Sequence, residues 1–291
     1  MRDRPSFTAA WVAACRTLGN KLPAAARLAD DPYGASFAGP GAALFAEHLP
    51  RFASLPIWPF ALYMQVRTRV IDDVLRAFVS AGGRQVLILG AGYDCRAARF
   101  AGELQGARVF EVDHPATQAR KRTVLERAAA PSAPVTYLAW DFEARPMAEL
   151  PQALAGVGHD PSETTLTVWE GVTMYLTEPA IDATVAAVAA LSSPGSPLVM
   201  TYFERQRIER PSRARALVSR LVARAGEPFR FGWSPTALPE WAAGRGFDVE
   251  WDRDMVDLGR TLLPAAHARA IQEHASRVAL LRRQAAHLAS S

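Results

Sequence analysis

One stretch constrains this chain more than any other: Gln85-Val-Leu-Ile-Leu-Gly-Ala-Gly-Tyr-Asp94, followed by Val109-Phe-Glu-Val-Asp113. A short apolar run breaks into a Gly-x-Gly turn, and a carboxylate follows 21 residues after Gly92. In a βαβ unit this spacing brings a turn without obstructing Cβ atoms and an acid to the carboxyl end of a parallel sheet. An acid at that place accepts hydrogen bonds from a ribose diol, so Gly90, Ala91, Gly92 and Asp113 point to a nucleoside-containing cofactor.

The rest of the chain extends the same rhythm. Strands are expected at 86–89, 109–112, 135–140, 166–169 and 198–203, separated by helical segments. Thr177-Glu-Pro-Ala180 reads as a helix start, with Thr177 at the N-cap and Pro179 in the first turn, and Ser192-Ser-Pro-Gly195 as its stop. This alternation predicts an α/β fold with a doubly wound, mostly parallel sheet. Residues 1–80 read as N-terminal helices, including 8–17 and 59–79. In the latter, Leu62, Val66, Val70, Val74 and Phe78 form one apolar stripe. The expected divisions within one domain over 1–291 are an N-terminal helical lid (1–80), a cofactor-binding core (81–203), an Arg-rich helical cap insertion (204–240) and a closing segment (241–291). Strands at 247–251 and 255–258 and an amphipathic C-terminal helix through Ile271, Ala275, Val278, Leu281, Ala285 and Leu288 are expected to complete the closing segment.

Composition narrows the partners. The formal net charge is +4, and of 33 basic residues only Lys21 and Lys121 are lysines. The arginines are dispersed among acidic residues, which excludes a nucleic-acid footprint. Arg120-Lys-Arg122, the densest basic cluster, reads as a solvated helix face. Cys15 and Cys95 offer neither a disulfide framework nor a metal spacing, and no apolar stretch is long enough for a membrane span or a signal peptide. A cytoplasmic protein without a metal is expected.

The turn itself discriminates between cofactors. A dinucleotide site needs a third small residue at the sixth position of Gly-x-Gly-x-x-Gly, and Cys95 stands there, preceded by Asp94. An anionic side chain in that place competes with a diphosphate, which favours a cofactor without phosphate, S-adenosylmethionine. Asp141 after the third strand is placed to accept from an adenine amine, with Phe142 beside it, although the same acid also suits a turn cap. Glu170 ends the fourth strand, where a plain salt bridge is the competing reading. Arg67 precedes the first strand and suits a bidentate pair with a cofactor carboxylate.

These residues resemble the leucine carboxyl methyltransferase family, a branch of the S-adenosylmethionine-dependent methyltransferases that includes bacterial polyketide-type O-methyltransferases. The resemblance rests on Asp31-Pro-Tyr33, Arg67-Thr-Arg-Val-Ile-Asp-Asp73, Leu89-Gly-Ala-Gly-Tyr-Asp94, Glu111-Val-Asp-His-Pro115, Trp140-Asp-Phe142 and Glu170-Gly-Val-Thr-Met-Tyr-Leu176. It implies that Arg67 binds the methionine carboxylate, Gly90 and Gly92 form the cofactor turn and Asp113 holds the ribose. It further implies that Asp141 and Phe142 contact adenine, that Glu170 lines the methionine end, and that S-adenosylhomocysteine is the product.

The mechanism expected is an in-line displacement in which the enzyme positions two partners. No Ser-His-Asp or Cys-His arrangement is evident, and His114 reads as a turn residue. A carboxylate acceptor, with a pKa near ~4, needs no base, whereas a phenol near ~10 does. A small-molecule carboxylate is therefore the leading acceptor. A phenolic hydroxyl and a protein C-terminal carboxylate are the alternatives, as are, from other classes, a nicotinamide-dependent oxidoreductase and a non-catalytic cofactor-binding protein. Tyr175 and Tyr202, near the ends of strands four and five, are the candidates for substrate contact, with packed core aromatics as the other reading.

Overall fold

Runs such as Val86–Leu89 become strands because both of their faces are covered. Val86 and Ile88 enter one apolar cluster and Leu87 and Leu89 another, on opposite sides of the sheet. The computed structural model describes residues 6–38, 57–131, 133–142, 144–211, 216, 219–220, 223 and 227–285. Its seven-stranded sheet contains β1 (Gln85–Leu89), β2 (Arg108–Asp113), β3 (Val135–Ala139), β4 (Thr165–Trp169), β5 (Pro197–Phe203), β6 (Phe247–Asp254) and β7 (Ser276–Arg283). The spatial order is β3-β2-β1-β4-β5-β7-β6. The first five strands in that order are parallel, and β7 runs antiparallel to both of its neighbours. Strand order reverses at β1, which lies between β2 and β4. There the connecting helices diverge to opposite faces and open a crevice at the carboxyl ends.

Helices α1 (Phe7–Gly19), α2 (Gly34–Ala38) and α3 (Ile57–Ser80) precede the sheet. The predicted stripe of α3 packs on the sheet: Leu62, Val66 and Val70 are buried, and Val74 and Phe78 pack partly buried against the same cluster. Fully burying one such side chain stabilises by roughly 1.5–3 kcal/mol, so the stripe suffices to dock α3. Buried Gln65 on α3 accepts the amides of Leu28 (2.7 Å) and Ala29 (2.8 Å), which fixes the segment between α1 and α2. After β1 come α4 (Arg96–Arg99), α5 (Pro115–Arg127), α6 (Leu150–Ala155) and α7 (Glu178–Leu191), the last capped as expected by Thr177 Oγ1, which accepts from the Ala180 amide. Then follow α8 (Arg205–Glu209), α9 (Leu238–Ala243), α10 (Met255–Leu262) and α11 (Ala265–Ala268).

Three expectations are corrected. Residues 255–258 are not a strand but the first turns of α10, because Asp254 Oδ1 accepts the amides of Val256 and Asp257 at 2.8 Å each and so starts a helix. The expected C-terminal helix is β7 over Ser276–Arg283; the apolar positions counted at helical spacing belong to Val278-Ala-Leu-Leu281, a strand buried on both faces between β5 and β6. Ala285 lies beyond that strand, and Leu288 lies outside the described residues. Arg120 and Arg122 are solvated, but Lys121 between them is buried and its Nζ lies 2.6 Å from Glu111 Oε2 on β2. Of the cap expected over 204–240 the structure describes α8 and the return from Glu227, joined by a bridge between Glu204 and Trp233; most of 212–226 lies outside the described residues. Among the described residues no helix is long and apolar enough to cross a membrane.

Candidate functional site

The turn after β1 is shaped by two glycines with positive φ, Gly90 (+62°) and Gly92 (+49°). The amides of Gly90 (2.8 Å) and Ala91 (3.2 Å) donate to Val112 O, so the turn leans on the end of β2. A Cβ on Gly90 would stand 2.5 Å from Val172 Cγ2, closer than carbon atoms approach. Asp113 closes this corner: its Oδ2 accepts the Gly92 amide and its Oδ1 accepts the His114 amide at 2.5 Å. Burial pushes the Asp113 carboxyl above the usual carboxylate range, opposed by the hydrogen bonds from Gly92 and His114.

A cleft of about 410 Å³ opens over this corner. It gathers residues from four successive strand ends: Gly90, Ala91 and Gly92 after β1, Asp113 ending β2, Asp141 and Phe142 after β3, and Glu170 after β4. Arg67 reaches it from α3, and Tyr175 from the short 3-10 helix Thr173–Tyr175. Asp141 also caps its own turn, Oδ1 accepting from the Ala144 amide at 3.2 Å. His114 is the N-cap of α5, where its Nδ1 accepts the Ala116 amide at 3.3 Å; this leaves the proton of the neutral ring on Nε2, 4.0 Å from Asp141 Oδ2.

Beneath the turn lies a buried network of charges. Arg67 Nε meets Glu170 Oε1 at 2.8 Å, and Arg96 Nη1 meets Glu170 Oε2 at 2.6 Å. Arg96 also pairs with Asp94 and, through Nε at 2.8 Å, with Asp72, which in turn pairs with Arg99. Burial alone would raise the Glu170 carboxyl; Arg96, then Arg67 and Arg16, outweigh it and hold the group well below the usual range. The salt-bridge reading of Glu170 and its place in the cleft are therefore both realised. Asp94 Oδ1 accepts the Arg96 amide at 2.7 Å at the start of α4, and Asp94 lines the cleft. Arg67 is also hydrogen-bonded to Tyr63, over whose ring its guanidinium lies (5.7 Å to the centroid).

The roof of the cleft comes from α1, through Ala9, Val12 and Arg16, and from the cap return at Glu227, Pro228 and Arg230. Tyr175 stacks on Phe229 of that return (centroids 5.5 Å apart). Tyr202 does not line the cleft. It is buried, and its hydroxyl donates to Asp252 Oδ2 at 2.7 Å, so it follows the packed-core reading. Three residues in or beneath the cleft escape sequence reasoning: Arg96, Arg16 and Glu227. Arg96 carries no pattern of its own, since its partners Asp72 and Glu170 are distant in sequence. Arg16, whose Nε lies 2.7 Å from Asp31 and which also donates to Tyr93 O, does leave a signal: it is the one charged residue of α1.

The chain is similar to several known proteins. The leucine carboxyl methyltransferase family matches residues 9–189. A Streptomyces coelicolor protein named "Putative S-adenosyl-L-methionine-dependent methyltransferase SCO7813" is 40% identical over 152 residues, 52% of each chain. A second protein from that organism with the same description, SCO6443, is 38% identical over 201 residues, 66% of this chain and 64% of its own. The chain spans about half the length of the curated relatives it matches first. Among solved structures, the fold is shared with one titled a putative methyltransferase from Thermobifida fusca (TM-score 0.60, 18% identity, covering 97% of this chain and 96% of that one). It is also shared with a DUF574 family protein from Streptomyces avermitilis (TM-score 0.59, 16% identity, 91% and 99%). With a family match over more than half of its length, on a sheet and cleft of the expected kind, the chain belongs to the leucine carboxyl methyltransferase family.

Proposed function

We propose that the protein is an S-adenosylmethionine-dependent O-methyltransferase acting on the carboxylate of a small molecule. The residues present fit that cofactor. The glycine turn leaves no room for a side chain beside Val172, and Asp113 is held at the corner where a ribose diol would bond. In this reading Asp141 and Phe142, which line the cleft, face the adenine, and the Arg67 guanidinium faces the methionine carboxylate. When bound, the cofactor supplies a methyl group on a sulfonium, an electrophile that needs alignment more than activation.

One observation carries the choice of a carboxylate: the described groups around the cleft are already engaged. Asp94 and Glu170 are ion-paired, Asp113 accepts two amides, Asp141 caps a turn and Glu227 accepts from Ser6 and Thr8. The Nδ1 lone pair of His114 is taken by Ala116. Burial pushes the Tyr175 phenol up to about 12, so it stays protonated at neutral pH. An acceptor that is already ionised at neutral pH needs no base from this set, whereas a phenol would. The chain orients both partners, and α1 and the cap return exclude water.

The test is transfer of a labelled methyl from S-adenosylmethionine to matched panels of carboxylic acids and phenols. Base-labile methyl esters are the expected products. Phenyl ethers alone would assign the hydroxyl alternative, and tight cofactor binding without any product would assign the non-catalytic one. NADH binding in place of S-adenosylmethionine would favour the oxidoreductase.

A further inference from the structure

Two distant parts of the chain are joined over the cleft mouth. Ser6 Oγ donates to Glu227 Oε1 at 2.9 Å, and Glu227 Oε2 accepts from the Thr8 amide at 3.3 Å and from the Thr8 hydroxyl. On its other side Ser6 is held by its amide, which donates to Thr117 Oγ1 on α5 at 3.1 Å. The start of α1 is therefore tied to both banks of the cleft. The far end of α1 is fixed separately, by the pairing of Arg16 with Asp31 and by Asn20 Nδ2, which donates to Asp31 O at 2.8 Å. Ala9 and Val12, between these attachments, line the cleft.

The Glu227 carboxylate sits at the amino end of a 13-residue helix, where negative charge is favoured. We propose that Glu227 is a positioning residue: it latches the first turn of α1 over the cleft. The inference rests on the proposed cofactor only for what the latch retains.

Hydrogen exchange of the Thr8 to Ala10 amides in the ligand-free chain tests the latch directly. Glu227→Ala and Thr8→Val are each expected to accelerate it roughly five- to tenfold, the size of a lost helix cap, with exchange in β1 and β4 unchanged. In stopped-flow measurements following tryptophan fluorescence, which includes exposed Trp11 on α1, release of S-adenosylhomocysteine should also be about tenfold faster in both variants. First-turn exchange equal to wild type in either folded variant overturns the latch, and so does unchanged release. Should Glu227→Ala not fold, Thr8→Val alone decides. Failure of the wild-type chain to bind S-adenosylhomocysteine by calorimetry would instead sink the cofactor reading, and the exchange measurement would still judge the latch.

Discussion

Asp113 and Gly92 are joined by a hydrogen bond from the glycine amide to Oδ2, so the acid at the end of β2 and the turn after β1 form one unit. The Gly92 and His114 amides hold the carboxylate at this corner. Asp113→Ala should weaken S-adenosylhomocysteine binding by about 1–3 kcal/mol, through lost charge-assisted bonds and a loosened turn. Because burial raises the carboxyl above its ordinary value, wild-type affinity should begin to fall at a higher pH than for an unperturbed Asp. Calorimetry across pH on both proteins checks this, and equal affinity in a folded mutant would count against the ribose assignment.

Arg96 carries three buried carboxylates, Asp72, Asp94 and Glu170. Removing it in Arg96→Gln takes the ion pair from Asp94, while Glu170 keeps Arg67 and Asp72 keeps Arg99, and should cost about 3–5 kcal/mol at neutral pH. Asp94 and Glu170 are held below their ordinary values once Arg96 and its neighbours outweigh burial. Their contribution is therefore complete above ~4 and is lost as pH falls toward the depressed native values. The gap between wild type and mutant should be widest near pH 7 and shrink below pH ~4. Urea titrations at several pH values would show this; a gap independent of pH would refute it.

Gly90 and Gly82 separate two costs of adding a methyl group. At Gly82 (φ +89°) nothing lies within 4 Å of an added Cβ, so Gly82→Ala should cost only the backbone penalty, about 1–2 kcal/mol. Gly90→Ala must also displace Val172 and should cost about 1–3 kcal/mol more, with cofactor affinity falling too. Thermal melts of the two variants, compared under one condition, measure the difference.

The two tyrosines singled out in the sequence should behave in opposite ways. Tyr202→Phe loses a bond to Asp252, which Arg277 Nε still holds at 3.0 Å, so stability should drop by about 0.5–1.5 kcal/mol with turnover unchanged. Tyr175→Phe leaves a cleft-lining ring without its hydroxyl and should lower kcat/KM by roughly tenfold, about 1.4 kcal/mol. Steady-state kinetics with any accepted carboxylic acid distinguishes them.

Local pattern made the parallel strands and their loops legible, because each signal was complete within a few residues. Leu89-Gly-Ala-Gly and Val112-Asp113 declare a strand end, a turn and an acid without help from elsewhere. The misread pieces depended on distant partners. Val278–Leu281 is apolar without a clear period, and only burial between β5 and β6 decides that it is a strand. Lys121 reads as solvated until Glu111 is found inside the fold, 2.6 Å away. In the site, Asp113 and Glu170 could be placed from strand ends alone, whereas Arg96 and Glu227 act through contacts that no sequence spacing encodes.

The position of β7 has a bearing on how this protein is made. Among the described residues β7 pairs with β5 and β6, and β6 pairs with β7 alone. During synthesis, Phe247–Asp254 leaves the ribosome with no strand to receive it, and must wait for residues 276–283 to emerge and slip in beside β5. The parallel strands can pair while translation continues, whereas β6 can join the sheet only once residues 276–283 have emerged.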